Sequence, residues 1–159
     1  MFRPTRRPWL ALNDTETWAL LERSPFGVLA VRGAKGYPYA VPMNHVVVNR
    51  ALIFHAATEG HRLEALRADA RACFTVTEGP REDAGAIPTG SLGTYESAVV
   101  FGRVSELPPE RQEEALEALV RRHLPERAGE AGKFLRDNGK VAVLRMEAEH
   151  ISGKRLLVK

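Results

Sequence analysis

Hydrophobic and polar residues alternate along this chain with two different periods, and the switches between them mark its elements. Asn13-Asp14-Thr15-Glu16 has the form of a capping box, with Asn13 as N-cap and Glu16 three residues on. It predicts a first helix with Trp18, Leu20 and Leu21 on its apolar side, stopped at Ser24-Pro25. Phe26 to Arg32 is apolar and β-branched, and the glycines of Gly33-Ala34-Lys35-Gly36 mark a tight reversal, so a β-hairpin is expected. Its second arm runs from Tyr37 to about Val48 and contains Pro38 and Pro42. Proline cannot donate to a sheet ladder, which puts both at a strand start, an edge or a bulge. Asn49-Arg50 turns the chain into Ala51–Ala56, and three strands with short connections predict an antiparallel meander.

The period then becomes helical: Leu63 and Leu66 predict a short helix after Thr58-Glu59-Gly60. A strand follows from Arg71 to about Thr77. Glu78 to Gly93 is rich in Gly, Pro and charge without periodicity, and reads as a mobile loop of the kind that often serves as a lid or partner contact. From Tyr95 to about Glu106 both alternating sets are apolar, as in a strand buried on two sides or lying at a subunit interface. Pro108-Pro109-Glu110 opens a helix with Leu116, Leu119, Val120 and His123 along one stripe. Pro125 ends it, a second helical stretch covers about Glu126 to Asp137, and Asn138-Gly139 caps that. The last strand runs from Lys140 to about Ala148, leading into the tail His150-Ile151-Ser152-Gly153-Lys154. About six antiparallel strands with three or four helices at the rim predict a mainly β fold, a small closed or half-closed barrel.

The 159 residues suit a single domain with a core of its own, the first 12 forming an extension. The net charge of +3 is spread among nearly as many acidic groups, which argues against nucleic acid and suits a small anionic ligand. No apolar segment follows Arg3, Arg6 and Arg7 as in a signal peptide, and no run is long enough to span a bilayer. A soluble cytoplasmic protein with no membrane partner is therefore expected. Cys73, the single cysteine, lies between Ala72 and Phe74 and reads as an inert thiol. The five histidines lack a metal-ligand spacing, so no metal is expected, and no GxSxG elbow appears.

Thr58-Glu59-Gly60-His61-Arg62 stands between a strand and a helix. A helix N-terminus offers free N–H groups and partial positive charge, Gly60 permits close backbone approach, Thr58 brings a hydroxyl and Arg62 a bidentate cation. That combination suits a phosphate; the alternative is an ordinary turn with a surface arginine.

Four pieces occur in order and at family spacings: Tyr37 to Asn44, Phe54 to Leu63, Tyr95 to Gly102, and His150 to Lys154. Together they resemble the pyridoxamine 5′-phosphate oxidase-like FMN-binding split barrels, in particular the nitroimidazole-resistance-related branch, over about Phe26 to Lys154. The resemblance implies a six-stranded antiparallel split β-barrel forming a homodimer with FMN at the interface. It implies Val41, Pro42, Met43 and Asn44 along the flavin ring, His55, Ala56 and Thr58 at the ring edge and ribityl chain, and Gly60, His61 and Arg62 at the phosphate. Tyr95, Ser97, Val99 and Lys154 would come from the second subunit. The arginine and tryptophan pattern that true pyridoxamine-phosphate oxidases carry near the C-terminus is missing, so vitamin B6 oxidation is not expected.

The resulting expectation is a flavin-dependent reductase of a small electron-poor compound, nitroaromatic- or quinone-like, with NAD(P)H or a flavin reductase as electron source. His55 and Tyr95 are the candidates to orient substrate or donate a proton. The alternatives are a flavin-storage protein without turnover, or a split barrel binding deazaflavin or haem.

Overall fold

A computed structural model describes residues 2–79 and 94–156. The expected loop from Glu78 to Gly93 falls almost wholly outside them; Glu78 itself ends a strand.

Eight strands form one antiparallel sheet: β1 (Ala11–Leu12), β2 (Phe26–Arg32), β3 (Pro38–Asn44), β4 (Val46–Val48), β5 (Ala51–Ala57), β6 (Arg71–Glu78), β7 (Tyr95–Glu106) and β8 (Val141–Leu156). Six have seven residues or more, matching the expected number; β1 and β4 are short additions. The helices are α1 (Asp14–Arg23), α2 (His61–Ala68), α3 (Pro109–His123) and α4 (Ala131–Asp137). The sheet order is β3-β2-β6-β7-β8-β5-β4, with β1 on β8. This is a mainly β split barrel with peripheral helices.

The expected three-strand meander is corrected here. Strand β3 pairs with β2, but the chain then crosses at His45, and β4 pairs with β5 at the other end of the sheet order. The sheet therefore curls until its two ends face each other, and the junction between β3 and β5 is the opening of the half-barrel. Both prolines of β3 lie on this unpaired edge, where a missing N–H costs no ladder bond. Asn49 and Arg50, with φ of 50° and 58°, make the tight β4–β5 turn, whose twist matches that of the strands it joins.

Alternation fills the interior. Leu29 and Val31 of β2, Phe74 and Val76 of β6, Ala98 and Val100 of β7, and Leu144 and Met146 of β8 all point inward, under Leu20 and Leu21 of α1. The capping box forms as expected, Glu16 N–H donating to Asn13 Oδ1 at 2.9 Å and Asn13 N–H to Glu16 at 3.0 Å. β5 is covered on both faces. Leu52 and Phe54 enter the barrel, while Ile53 joins Val143, Leu116, Leu119 and Ala131 in a second core beneath α3 and α4.

Two further expectations are corrected. The stretch 126–137 is not one helix: a short turn, Pro125–Arg127, is separated from α4 by Gly129 at φ 88°. The segment from His150 to Lys154 is no tail but the outer half of β8, paired with β7 and with β1 after a register shift opposite Phe101 and Gly102. Gly102 is required there, because a Cβ would run into the Glu147 carbonyl oxygen.

Candidate functional site

The opening of the half-barrel holds two adjoining cavities. The first, about 310 Å³, lies between β3 and β5 and is lined by Phe26, Pro42, Met43, Asn44, His55, Ala56, Ala57 and Arg62. The period-2 geometry of the strands explains most of this set. Pro42 and Asn44 occupy the outward row of β3, and His55 and Ala57 the outward row of β5. Phe26 enters because it stands opposite Asn44 in the β2–β3 ladder; its ring is 61% exposed.

One end of this cavity is cationic. The Nε–H of Arg62 is buried and has no hydrogen-bond partner, and burial pushes the guanidinium pKa below its ordinary value. Gly60, the N-cap of α2, has φ 110° and no side-chain cap bonds the helix end. An unpaired buried donor is expensive, and the first-turn N–H groups of a helix are likewise short of acceptors. Both shortages are relieved by an anion with several oxygens, such as a phosphate ester. The residues therefore fit a ligand with one phosphate group.

His55 lies in the cleft, and displacement of water from its ring, then repulsion from Arg62 and from His123, lower its pKa. It stands as a neutral imidazole at pH 7, with one N–H and one lone pair. A second histidine anchors the crossing. His45 is 1% exposed, its Nε2–H donates to the Leu21 carbonyl at 2.7 Å, and its Nδ1 has no partner. Burial, opposed by that hydrogen bond and helped by His123 and Arg122, brings its pKa down to about 4. His123 Nε2–H donates to the His45 carbonyl at 2.8 Å, leaving Nδ1 to accept the Asn44 amide at 3.5 Å. A chain of hydrogen bonds thus runs from the crossing through His123 and Asn44 to the cleft wall.

The second cavity, about 240 Å³, shares Asn44 and His55 with the first and extends under α3 and α4. The sequence places Asn44 and His55 at a flavin site but reads Leu116, Leu119, Val120 and His123 only as a helix stripe, and so misses this cavity. His123 was the available signal, a polar group at the end of an apolar stripe that otherwise enters the core.

The structure brings Pro42, Met43, Asn44, His55, Ala56 and Arg62 together in one cleft. Val41 faces inward and packs against the main core. Thr58 is half-buried, its N–H bonded to the Lys140 carbonyl at 3.0 Å. The His61 ring stacks on Tyr39, centroids 4.4 Å apart, and its Nε2 accepts the Ala34 N–H at 3.3 Å, so its side chain braces the β2–β3 turn. Tyr95, Ser97, Val99 and Lys154 lie on β7 and β8 and do not line the cleft. Lys154 Nζ donates to the Tyr95 hydroxyl and stands 5.0 Å from its ring centroid, and Ser97 faces Lys154 across the ladder. Cys73 is half-buried and its thiol pKa is raised by burial, as an inert thiol requires. Among the described residues no three His, Cys, Asp or Glu side chains converge as metal ligands would, and no helix is long and apolar enough to cross a membrane.

The chain is a curled antiparallel split barrel whose open side carries a cleft with a cationic end. The chain belongs to the pyridoxamine 5′-phosphate oxidase family, whose model matches residues 13–155. Solved structures share the fold at low identity. A protein assigned to 5-nitroimidazole antibiotic resistance from Bacteroides thetaiotaomicron is 21% identical, with TM-score 0.75, over 92% of this chain and 86% of that one. A FAD-binding protein from Mesorhizobium loti is 24% identical, with TM-score 0.68, over 92% and 96%. A FAD and heme binding protein from Mycobacterium smegmatis is 22% identical, with TM-score 0.71, over 90% and 71%. No curated protein matches the sequence.

Proposed function

We propose that this protein binds FMN in the cleft between β3 and β5 and serves as a flavin-dependent reductase of a small electron-poor compound. The observation that carries the reading is the buried, partnerless Nε–H of Arg62 beside the uncapped end of α2. One guanidinium and one helix end suit a single phosphate group, which favours FMN over FAD. Family membership and the flavin-binding neighbours support the flavin itself.

In this reading Arg62, Gly60 and Thr58 hold the phosphate end, with the backbone N–H of His61 available beside them. Pro42, Met43 and Ala56 give the ring an apolar wall, and the Asn44 amide supplies a hydrogen bond at its edge. Flavin, when bound, supplies hydride and electron transfer; the protein contributes orientation and access. His55 offers a neutral imidazole at the cleft wall to orient substrate or exchange a proton. Tyr95, Ser97, Val99 and Lys154 complete the site only if a second copy brings them, so the flavin reading is also a homodimer reading. NAD(P)H or a separate flavin reductase, both available in a cytoplasmic setting, is the proposed electron source.

Titrating the purified protein with FMN, FAD and riboflavin, followed by absorption and flavin fluorescence, tests this. Preferential uptake of FMN, with reduction by NADPH and reoxidation by a nitroaromatic, is the expected result. Uptake of no flavin, or a Soret band in place of flavin peaks, overturns the cofactor assignment. Bound flavin that no donor reduces leaves a storage protein.

A further inference from the structure

We propose that the cavity under α3 and α4 is the seat of the substrate, and that it selects a neutral two-ring aromatic compound carrying a carbonyl or nitro group at one end. The assignment to substrate rests on the flavin reading of the adjoining cleft; the binding preference does not.

The walls are apolar on three sides. Leu116, Leu119 and Val120 come from α3, Leu124 from its C-terminal cap, and Phe134 from α4. Leu116 and Leu119 also belong to the second core, so this wall is fixed by packing. The space, about 240 Å³, is half open to solvent, and Leu124 at its mouth is exposed. Water against this apolar lining is released when an apolar ligand covers it, which favours an occupant. A dry apolar cavity of about 150 Å³ accepts one benzene ring, so this volume has room for a second ring or a ring with substituents.

Charge and polarity decide the rest. Arg127 and Glu130, which also line the cavity, pair with each other at 2.9 Å and present no uncompensated charge to a ligand. The polar side chains Asn44 and His55 line both cavities where they join, with His123 bonded to Asn44 on the α3 side. One N–H of the Asn44 amide points to His123 Nδ1, which leaves its other N–H for an acceptor on the ligand. A carboxylate placed against Leu116, Val120 and Phe134 would lose hydration there, and the cation of the lining, Arg127, is already paired with Glu130. The seat thus favours a neutral ligand whose acceptor group lies at the Asn44 and His55 end.

The test is calorimetric titration with 2-acetylnaphthalene and its near-isostere 2-naphthoate, in two forms of the protein: with FMN and no added phosphate, and without FMN in excess inorganic phosphate to occupy Arg62. The neutral ketone should bind, and the carboxylate should bind at least about tenfold more weakly. Val120→Phe, which fills the cavity, and Leu124→Trp, at a cap position 45% exposed and tolerant of change, should each weaken the ketone at least about tenfold and leave FMN uptake unaltered. Absence of ketone binding in both forms, equal affinity for the carboxylate, or indifference to both substitutions overturns the proposal. Ketone binding that responds to the substitutions in a protein that takes up no flavin would support the pocket and remove the cofactor reading instead.

Discussion

Replacing Arg62 by methionine separates the two things this side chain does. Methionine keeps much of the apolar stem and removes the guanidinium. In the ligand-free protein the arginine is a liability: its Nε–H is buried without a partner and burial disfavours its charge. An unsatisfied buried donor costs about 1–3 kcal/mol, so its removal should leave the ligand-free protein as stable or raise it by about 1 kcal/mol. In a chain this long that corresponds to roughly 2–4 °C in melting temperature. With FMN the sign reverses. Hydrogen bonds to a charged group contribute about 1.5–3 kcal/mol, so FMN affinity should fall by roughly 10- to 150-fold. Riboflavin, which lacks the phosphate, should bind wild type and Arg62→Met alike. Fluorescence titration with both flavins, alongside a thermal melt without ligand, reads all three quantities. Equal weakening of FMN and riboflavin would show that Arg62 shapes the cleft and does not meet a phosphate. A clear loss of ligand-free stability would show that its N–H is satisfied after all.

Other consequences can be measured independently. His45 is neutral when folded, its pKa about 4 against about 6.5 when unfolded, so its contribution is complete above pH 6.5 and is lost as pH falls toward 4. The difference amounts to about 3 kcal/mol, and urea unfolding of His45→Gln should show a flatter pH dependence than wild type across that window. Gly102→Ala places a methyl group against the Glu147 carbonyl at the register shift and should destabilise by about 1–3 kcal/mol, read as a lower urea midpoint; an unchanged midpoint would mean that the strands separate there at little cost. Arg23 bonds Glu78 at 3.0 Å and Glu96, and Arg155 joins Glu96 at 2.5 Å to Glu16 at 3.1 Å, so one ion chain ties α1 to β6, β7 and β8. These groups are partly exposed, so Arg23→Ala should cost only about 0.5–1 kcal/mol, and the difference should shrink in high salt.

What the sequence shows in advance is what neighbouring residues settle among themselves. The α1 capping box is complete within four residues, and the alternation of β2 and β6 follows from side chains sorting themselves between core and surface. His45 is different. The stretch from Tyr37 to Val48 looks like one strand, because nothing local records that the chain passes there from one end of the sheet to the other. The ladders of β3 and β4 are themselves local; what carries them to opposite ends is the pairing of β2 with β6 and of β5 with β8, whose partners stand 41 residues or more apart. The same holds for the outer half of β8, whose glycine and polar residues read as a tail. Gly153 is needed there because Leu12 and Thr17 pack where its side chain would stand.

The candidate site divides along the same line. Pro42, Asn44, His55 and Arg62 lie close enough in sequence for a motif to hold them, and the fold gathers them in one cleft. His123 lines the adjoining cavity because α3 lies over the outer row of β5, and its bond to the His45 carbonyl ties it to the very residue where the barrel opens. The crossing that local pattern cannot show is therefore also what creates the second cavity. Were β3 to continue into pairing with β5, as a meander would have it, Asn44 would sit in a closed ladder and the wall shared by the two cavities would not exist. Opening the sheet at this point leaves one side of β3, and the side of β5 beyond Ile53 that β4 does not reach, without a ladder partner. Asn44 and His55 line both cavities and can then address a ligand on either side.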